Sequence, residues 1–370
     1  MFKGKLCLAP MVRAGELPTR LLALKNNCDL VWSPELVDKK LLQTNRLINE
    51  KLNSIDYILP NGNIVFRTIP KLEAGKLILQ IGSADPDLAV QAASKVINDV
   101  DGIDLNAGCP KHFSIHSGMG AALLSTPELL CSILENLVKK VGVPNKKPIS
   151  AKIRLLPEQK DTIDLIEKLC NTGITNLTVH CRTREMRNRE SPIRDYLIDI
   201  YKMCKKHDVS LIINGDLQTR SNFLEVRDQC GLPEEVGGMI ADAAEVNPTV
   251  FNCNGPNEKW WAIMDEYIKL ATQWENNFGN TKYMLSRIIP GKSPVFQIIL
   301  RCHDYEQIKY VQTKLINPES GTLLRDPKDF IESLQNKGKK DNKNKKKKRS
   351  ANGINMTSRD TKTTTKKVKI

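Results

Sequence analysis

Eight short runs of apolar, largely β-branched residues recur along this chain with helix-patterned segments between them, and that alternation restricts the fold more than any other feature. The expected strands are Leu6–Ala9, Leu30–Trp32, Leu77–Ile81, Gly102–Leu105, Ile149–Ile153, Asn176–Val179, Ser210–Ile213 and Gly238–Ala241. Runs without polar alternation belong to strands covered on both faces, as in a parallel sheet clothed by helices. Helices are expected over Asp87–Val100, opened by Asp85 as cap and Pro86 in the first turn, and over Pro127–Val141 after Thr126. Two more are expected over Asp161–Asn171, closed by Gly173, and over Arg194–His207. Eight such units in about 250 residues is the arithmetic of an α/β fold of the (β/α)8 TIM-barrel type, predicted here over residues 1–250.

One interval breaks the rhythm. Between Lys39 and Gly75 the segment Tyr57–Phe66 reads as a hairpin about Asn61-Gly62, an excursion from the barrel. After Pro248 the pattern turns to helices bearing Trp260, Trp261, Tyr267, Trp274, Phe278 and Tyr283, which predicts a small helical domain over residues 251–336. Charge separates the remainder: residues 337–370 hold 14 Lys and Arg against 2 Asp and Glu, leaving 42 against 40 for residues 1–336. A nearly neutral body with a disordered, Lys-rich tail is therefore expected. No window reaches the roughly 18 apolar residues of a membrane span, and nothing near Met1 reads as a secretion signal, so no membrane association and no secretion are expected. The ten cysteines are scattered singly with no Cys-x-x-Cys pair, which fits reduced, mostly buried thiols.

In a barrel of this kind ligands bind at the carboxyl ends of the strands, so polar residues there are functional candidates. The exits read Ala9-Pro10-Met11, Gln80-Ile81-Gly82, Asn106-Ala107-Gly108-Cys109-Pro110, Lys152-Ile153-Arg154, His180-Cys181-Arg182, Asn214-Gly215-Asp216 and Ala241-Asp242. Any one of them alone is more simply a satisfied loop residue; together they predict a large charged ligand across the barrel mouth. Loops after the seventh and eighth strands commonly hold phosphate through backbone N–H groups, which singles out Asn214-Gly215-Asp216 over a plain turn. Lys152, at a strand end inside a barrel, is expected to face an anion rather than solvent.

Cys109 lies between Gly108 and Pro110 on a bend that presents its sulfur rigidly. An unactivated thiol is mostly protonated at neutral pH and suits a proton donor; a nucleophile would need a paired base, for which His112 and His116 are near in sequence. His180 is the histidine best placed for the site, and no His, Cys and carboxylate set has zinc-like spacing.

These residues resemble the tRNA-dihydrouridine synthases, most closely the eukaryotic branch acting on uridine 20 of the D-loop. The carriers are Leu8–Val12, Gln80–Gly82, Asp104–Pro110, Gly118–Ala121, Lys152–Arg154, Val179–Arg184, Asn214–Asp216 and Asn247-Pro248, of which Asn106-x-Gly108-Cys109-Pro110 is the most specific. The resemblance implies FMN at the barrel mouth, reduced by NADPH or NADH, and tRNA as substrate. It implies that Ala9, Pro10 and Met11 lie along the isoalloxazine, with Gln80 and Lys152 at its polar edge. His180, Asn214, Gly215, Asp216, Ala241 and Asp242 would surround the ribityl phosphate, Asn106 would orient the uracil, and Cys109 would protonate its C5 as hydride reaches C6. Two positions depart from the family: Asp242 replaces a frequent arginine, so that phosphate contact there would rest on backbone N–H groups, and Cys181 replaces a glycine.

With a neutral body, tRNA contact is expected from Arg154, Arg182, Arg184, Arg187 and Arg189, with Lys282, Arg287 and Lys292 in the helical domain. The run Lys345–Arg349 is expected to add RNA affinity or to direct nuclear import. A monomer acting in the cytoplasm, the nucleus or both is expected. Two other readings are weighed: an FMN barrel acting on a free small molecule, resembling dihydroorotate dehydrogenase, and an inactive barrel that only binds RNA. The basic tail and extra helices argue against the first, and the intact Cys109, Lys152 and His180 against the second.

Overall fold

The apolar runs become the staves of one closed sheet. The structure, a computed structural model, describes residues 1–111 and 115–334. Its strands are β1 (Leu6–Leu8), β2 (Leu30–Trp32), β3 (Leu36–Val37), β4 (Asn45–Asn49), β5 (Ser54–Ile58) and β6 (Ile64–Thr68). They continue as β7 (Leu77–Gly82), β8 (Gly102–Ala107), β9 (Ile149–Arg154), β10 (Asn176–His180), β11 (Ser210–Asn214) and β12 (Gly237–Ile240). The order β2-β1-β12-β11-β10-β9-β8-β7 closes where Val31 and Trp32 of β2 pair with Leu77 and Ile78 of β7. Every pairing around the ring is parallel, giving the (β/α)8 barrel.

Five strands run one or two residues past their expected ends, because polar exit residues keep up the ladder. Asn106 pairs with Lys152, and His180 with both Arg154 and Asn214, so register alone sets site residues side by side on adjacent strands. On the helical side, Asp85 caps Pro86–Val96 through the N–H groups of Asp87 and Leu88. Thr126 precedes Pro127–Leu137 without capping it, and that helix runs on through a wider turn over Val138–Gly142. The expected Arg194 start moves to Leu197, and Asp161 is already inside Gln159–Cys170.

A break in the second stave matters for the site. Ser33-Pro34-Glu35 interrupts the strand, and the chain resumes as β3, which pairs with Ile81 and Gly82 of β7. At the break Ser33 Oγ accepts the N–H of Gln80 at 3.0 Å, keeping that donor satisfied.

The expected hairpin is β5–β6, turning at Gly62 with φ +84° and Leu59 N–H donating to Asn63 O at 2.9 Å. A third strand, β4, joins it; its residues are mostly exposed, so no apolar alternation marked it in the sequence. The excursion ties the barrel to the later helices: Arg46 pairs with Asp99 on the barrel side, and Arg67 donates to Trp274 O at 2.5 Å on the other. Beyond the barrel lie helices Trp260–Gln273, Phe278–Ile288, Pro294–Arg301 and Tyr305–Tyr310, with a last helical stretch at 328–334. Their buried side chains, Tyr267 and Met284 among them, are continuous with the barrel core. The tail expected from Lys337 lies outside the described residues, and all ten cysteines are unpaired.

Candidate active site

The strand exits converge on one cleft of about 350 Å³. Ala9, Pro10, Met11, Gln80, Asn106, Cys109, Lys152, Arg154, His180, Asn214, Ala241 and Asp242 line it, brought together from seven staves. A recess of about 60 Å³ opens beside it, lined by Gly215, Asp216 and Arg182 and sharing His180, Asn214, Ala241 and Asp242 with the cleft. Arg184 lines neither, nor do the tRNA-contact candidates Arg187, Arg189, Lys282, Arg287 and Lys292.

The bend after β8 is fixed by its own first residue. Asn106 Oδ1 accepts the N–H of Gly108 at 3.0 Å and of Cys109 at 3.1 Å, and Ala121 N–H donates to Cys109 O at 2.9 Å. These bonds hold the half-buried Cys109 at the cleft wall. Arg154 braces the same bend, Nε donating to Gly108 O and Nη1 to Thr183 O, both at 2.9 Å. Asn106 and Arg154 were expected to touch substrate; their bonds here make them supports of the cysteine loop. His112 lies outside the described residues.

The cleft wall carries both signs, Lys111, Lys152 and Arg154 lining it with Glu35, Asp242 and Glu245. Burial pushes the Lys152 ammonium down to about 8, with Arg154 adding to the effect, and no described residue accepts a hydrogen bond from Nζ. Burial, then Lys152, Arg154 and Arg182, push His180 down to about 2, so its ring is neutral at physiological pH. Asp104 pulls the Lys152 ammonium the other way without offsetting its burial, and a bound anion would favour the charged form further. Gln80 is oriented from beneath: its Nε2 donates to Asp104 Oδ2 at 2.8 Å, while Ser150 Oγ donates to Asp104 Oδ1 at 2.5 Å. Among the described residues none donates a hydrogen bond to Gln80 Oε1.

In the recess, Gly215 takes φ +119°, and a Cβ there would lie 3.1 Å from His180 Cδ2. Arg182 corrects a sequence expectation. It is 2% exposed, pairs with Asp216 at 2.5 Å and donates to Glu190 O at 2.7 Å and Asn188 O at 2.9 Å. Its guanidinium is committed inside the protein, where it ties the loop after β10 to the exit of β11. Asp242, at the start of helix Asp242–Val246, accepts from Asn188 Nδ2 at 2.9 Å. Both carboxylates of the recess are thus answered by the loop after β10.

Glu35 and Tyr283 were missed. Glu35 stands in the break between β2 and β3 and lines the cleft, with burial pushing its carboxyl up against the pull of an Asn106 hydrogen bond and of Lys111. Its signal was the Ser33-Pro34 interruption of an apolar run. Tyr283 reaches the cleft from the later helices, under the Arg13 guanidinium at 4.6 Å and within 3.3 Å of Glu245. No sequence pattern announces that long-range contact.

Comparison with known proteins identifies the family. Residues 7–319 match the family model described as Dihydrouridine synthase (Dus). The chain is 55% identical over 344 residues to the tRNA-dihydrouridine(20) synthase [NAD(P)+] of Saccharomyces cerevisiae, covering 90% of this chain and 89% of that one. It is 48% identical over 313 residues to the Schizosaccharomyces pombe protein of the same name, covering 83% of this chain and 64% of that one. The human tRNA-dihydrouridine(20a/20b) synthase [NAD(P)+]-like protein is 29% identical, with 77% of this chain and 82% of that one covered. A match spanning every stave of the barrel and most of the helices beyond it leaves one assignment: the chain belongs to the dihydrouridine synthase family of oxidoreductases.

Proposed function

We propose that the protein reduces a uridine of tRNA, at position 20, to 5,6-dihydrouridine, with NADPH or NADH as reductant and FMN held at the barrel mouth. The observation that carries this reading is the meeting, in one cleft, of a buried ammonium that no described residue hydrogen-bonds, Lys152, with Cys109 on a braced bend. The names of the two yeast relatives support the substrate and position.

The residues present fit FMN. Lys152 and Gln80 Oε1 offer polar groups not used within the barrel, and Gly215 leaves the space a Cβ would fill. Ala9, Pro10 and Met11 would lie along the ring, and His180, Asn214, Gly215, Asp216, Ala241 and Asp242 around the phosphate. Two carboxylates near a phosphate are unfavourable unless answered; Arg182 and Asn188 answer them here. When bound, FMN supplies hydride chemistry. The chain's own part is to orient the base, exclude water and deliver a proton from Cys109 to uracil C5. A base inside this cleft must have left its stack in the tRNA.

Residues 1–250 would form the catalytic domain and 251–336 the tRNA-binding domain. Arg187, Arg189 and Lys292 are exposed and suit phosphate contact, whereas Lys282 is tied to Cys302 O and Arg287 to Glu245. The lysine run of residues 337–370 would add RNA affinity or nuclear import to a monomer working in the cytoplasm or nucleus. Among the described residues no helix is long and apolar enough to cross a membrane.

The test is direct. Purified protein should be yellow with a flavin spectrum and should form dihydrouridine in unmodified tRNA with NADPH. A colourless protein that takes up no FMN would defeat the reading, as would a yellow one that reduces a free pyrimidine and leaves tRNA untouched.

A further inference from the structure

Tyr283 enters the cleft from the helix Phe278–Ile288, outside the barrel, and two barrel loops hold its ring there. The Arg13 guanidinium, in the loop after β1, lies 4.6 Å from the ring centre, and its Nη2 donates to Gly279 O at 3.2 Å, one turn earlier on the same helix. Arg13 reaches the ring from a left-handed backbone, φ +71°, which a residue with a side chain adopts only at a cost. The Tyr283 hydroxyl donates to Glu245 Oε2 at 3.3 Å, and Arg287 Nε donates to the same oxygen at 3.0 Å. Tyr283 lines the cleft and Arg13 does not, so the surface turned to the cleft is ring that the guanidinium leaves free. Val12, next to Arg13 in the chain, lines the same cleft and is 46% exposed. Glu245 lies in the helix that follows β12, and β12 stands four staves from β8 in the ring of eight. Tyr283 is thus tied to the side of the mouth opposite the β8 exit, which carries Cys109.

We propose that Tyr283 holds a base that flanks the target uridine: the free surface of its ring, with Val12, packs on the nucleobase next to the target, while Arg13 fixes the ring from the other side. The inference rests on the reading of the protein as a tRNA uridine reductase. In that reaction the target uracil turns one face to the hydride donor and the other to Cys109, so both its faces are taken. Extruding it also uncovers the neighbouring base on which it was stacked. An aromatic ring already fixed at the far wall of the mouth replaces the lost stacking partner, and base–aromatic stacking tolerates any base.

The experiment compares two proteins on several tRNAs by electrophoretic mobility shift, using the full chain as purified. Wild type and Tyr283→Leu are each titrated with unmodified tRNA and with tRNAs that lack a single base, at the target position or at either neighbour. Wild type should lose about tenfold in affinity when one flanking base is missing, whereas Tyr283→Leu should bind that abasic tRNA and the intact one alike. Tyr283→Phe, which keeps the ring and gives up the Glu245 bond, should retain most of the wild-type loss. Each ratio compares two tRNAs on the same protein, so a smaller folded fraction in a variant cancels. If Tyr283→Leu loses as much as wild type at both flanking positions, the proposal is overturned and the ring is a contact between helices and barrel only. Coupling confined to the target position would overturn it too, by placing the ring on the uracil itself. If wild-type protein binds tRNA but makes no dihydrouridine, the proposed function fails while the comparison still decides the role of Tyr283.

Discussion

The guanidinium of Arg182 lies 2.5 Å from the carboxylate of Asp216, and that pair makes an arginine that reads as RNA-facing a buried strut of the recess beside the cleft. Arg182→Ala strands Asp216 and the carbonyls of Asn188 and Glu190 together. The expected result is a loss of about 2–4 kcal/mol in chemical denaturation, with reduced FMN retention. Electrophoretic mobility shift should show tRNA affinity nearly unchanged in the fraction that keeps its flavin; a selective loss of tRNA binding would return Arg182 to the RNA surface.

Removing the thiol separates cofactor binding from chemistry. Cys109→Ala should leave the flavin spectrum intact and lower dihydrouridine formation on tRNA by about 10²- to 10⁴-fold, the range for a positioned general acid. Mass spectrometry of the tRNA nucleosides reads the outcome, and unchanged turnover would take the proton donor role away from Cys109.

Lys152 predicts a pH dependence. Its folded pKa, near 8 without a bound anion, is below its ordinary 10.5, so between those values the unfolded chain holds a proton that the folded chain has released. Its contribution to the stability of flavin-free protein therefore rises with pH across that window. FMN affinity should do the opposite: nearly flat below about pH 7, where the ammonium is present, bending through pH 8 and then weakening by up to about tenfold per pH unit. Fluorescence titration checks this, and Lys152→Met should bind FMN weakly with no such slope.

Gly215→Ala should cost about 1–3 kcal/mol, because a side chain there is strained at φ +119° and meets His180 at 3.1 Å. The same methyl intrudes on the recess, so FMN content should fall more than thermal stability does. A stable variant with full flavin content would remove Gly215 from the cradle.

Cutting the chain before Lys337 removes 14 basic and 2 acidic residues. Affinity for tRNA should fall chiefly at low salt, and the slope of log affinity against log salt should become shallower. Equal affinity at every salt concentration would leave the tail a role in localisation only.

Local rules were enough to place all eight staves, the cap at Asp85 and the Asn61-Gly62 turn, because each depends on hydrophobic period or turn chemistry within a few residues. β4 escaped them because a mostly exposed edge strand carries no apolar alternation. The exits of a barrel are likewise legible, since closing eight parallel strands sends every carboxyl end to one face. That is why residues as distant as Met11, Cys109 and Asp242 could be assigned to one cleft before any coordinate was known.

What each of those side chains does there was decided only by folding. Arg182 turned inward because the Asp216 carboxylate and two loop carbonyls wait for it, and Asn106 turned to its own loop because two N–H groups need its oxygen. Glu35 and Tyr283 joined the cleft through a broken strand and through the helix Phe278–Ile288, far along the chain. Sequence carries the period of burial, which is local. The partner that satisfies a buried polar atom comes from elsewhere in the chain, and only packing brings the two together.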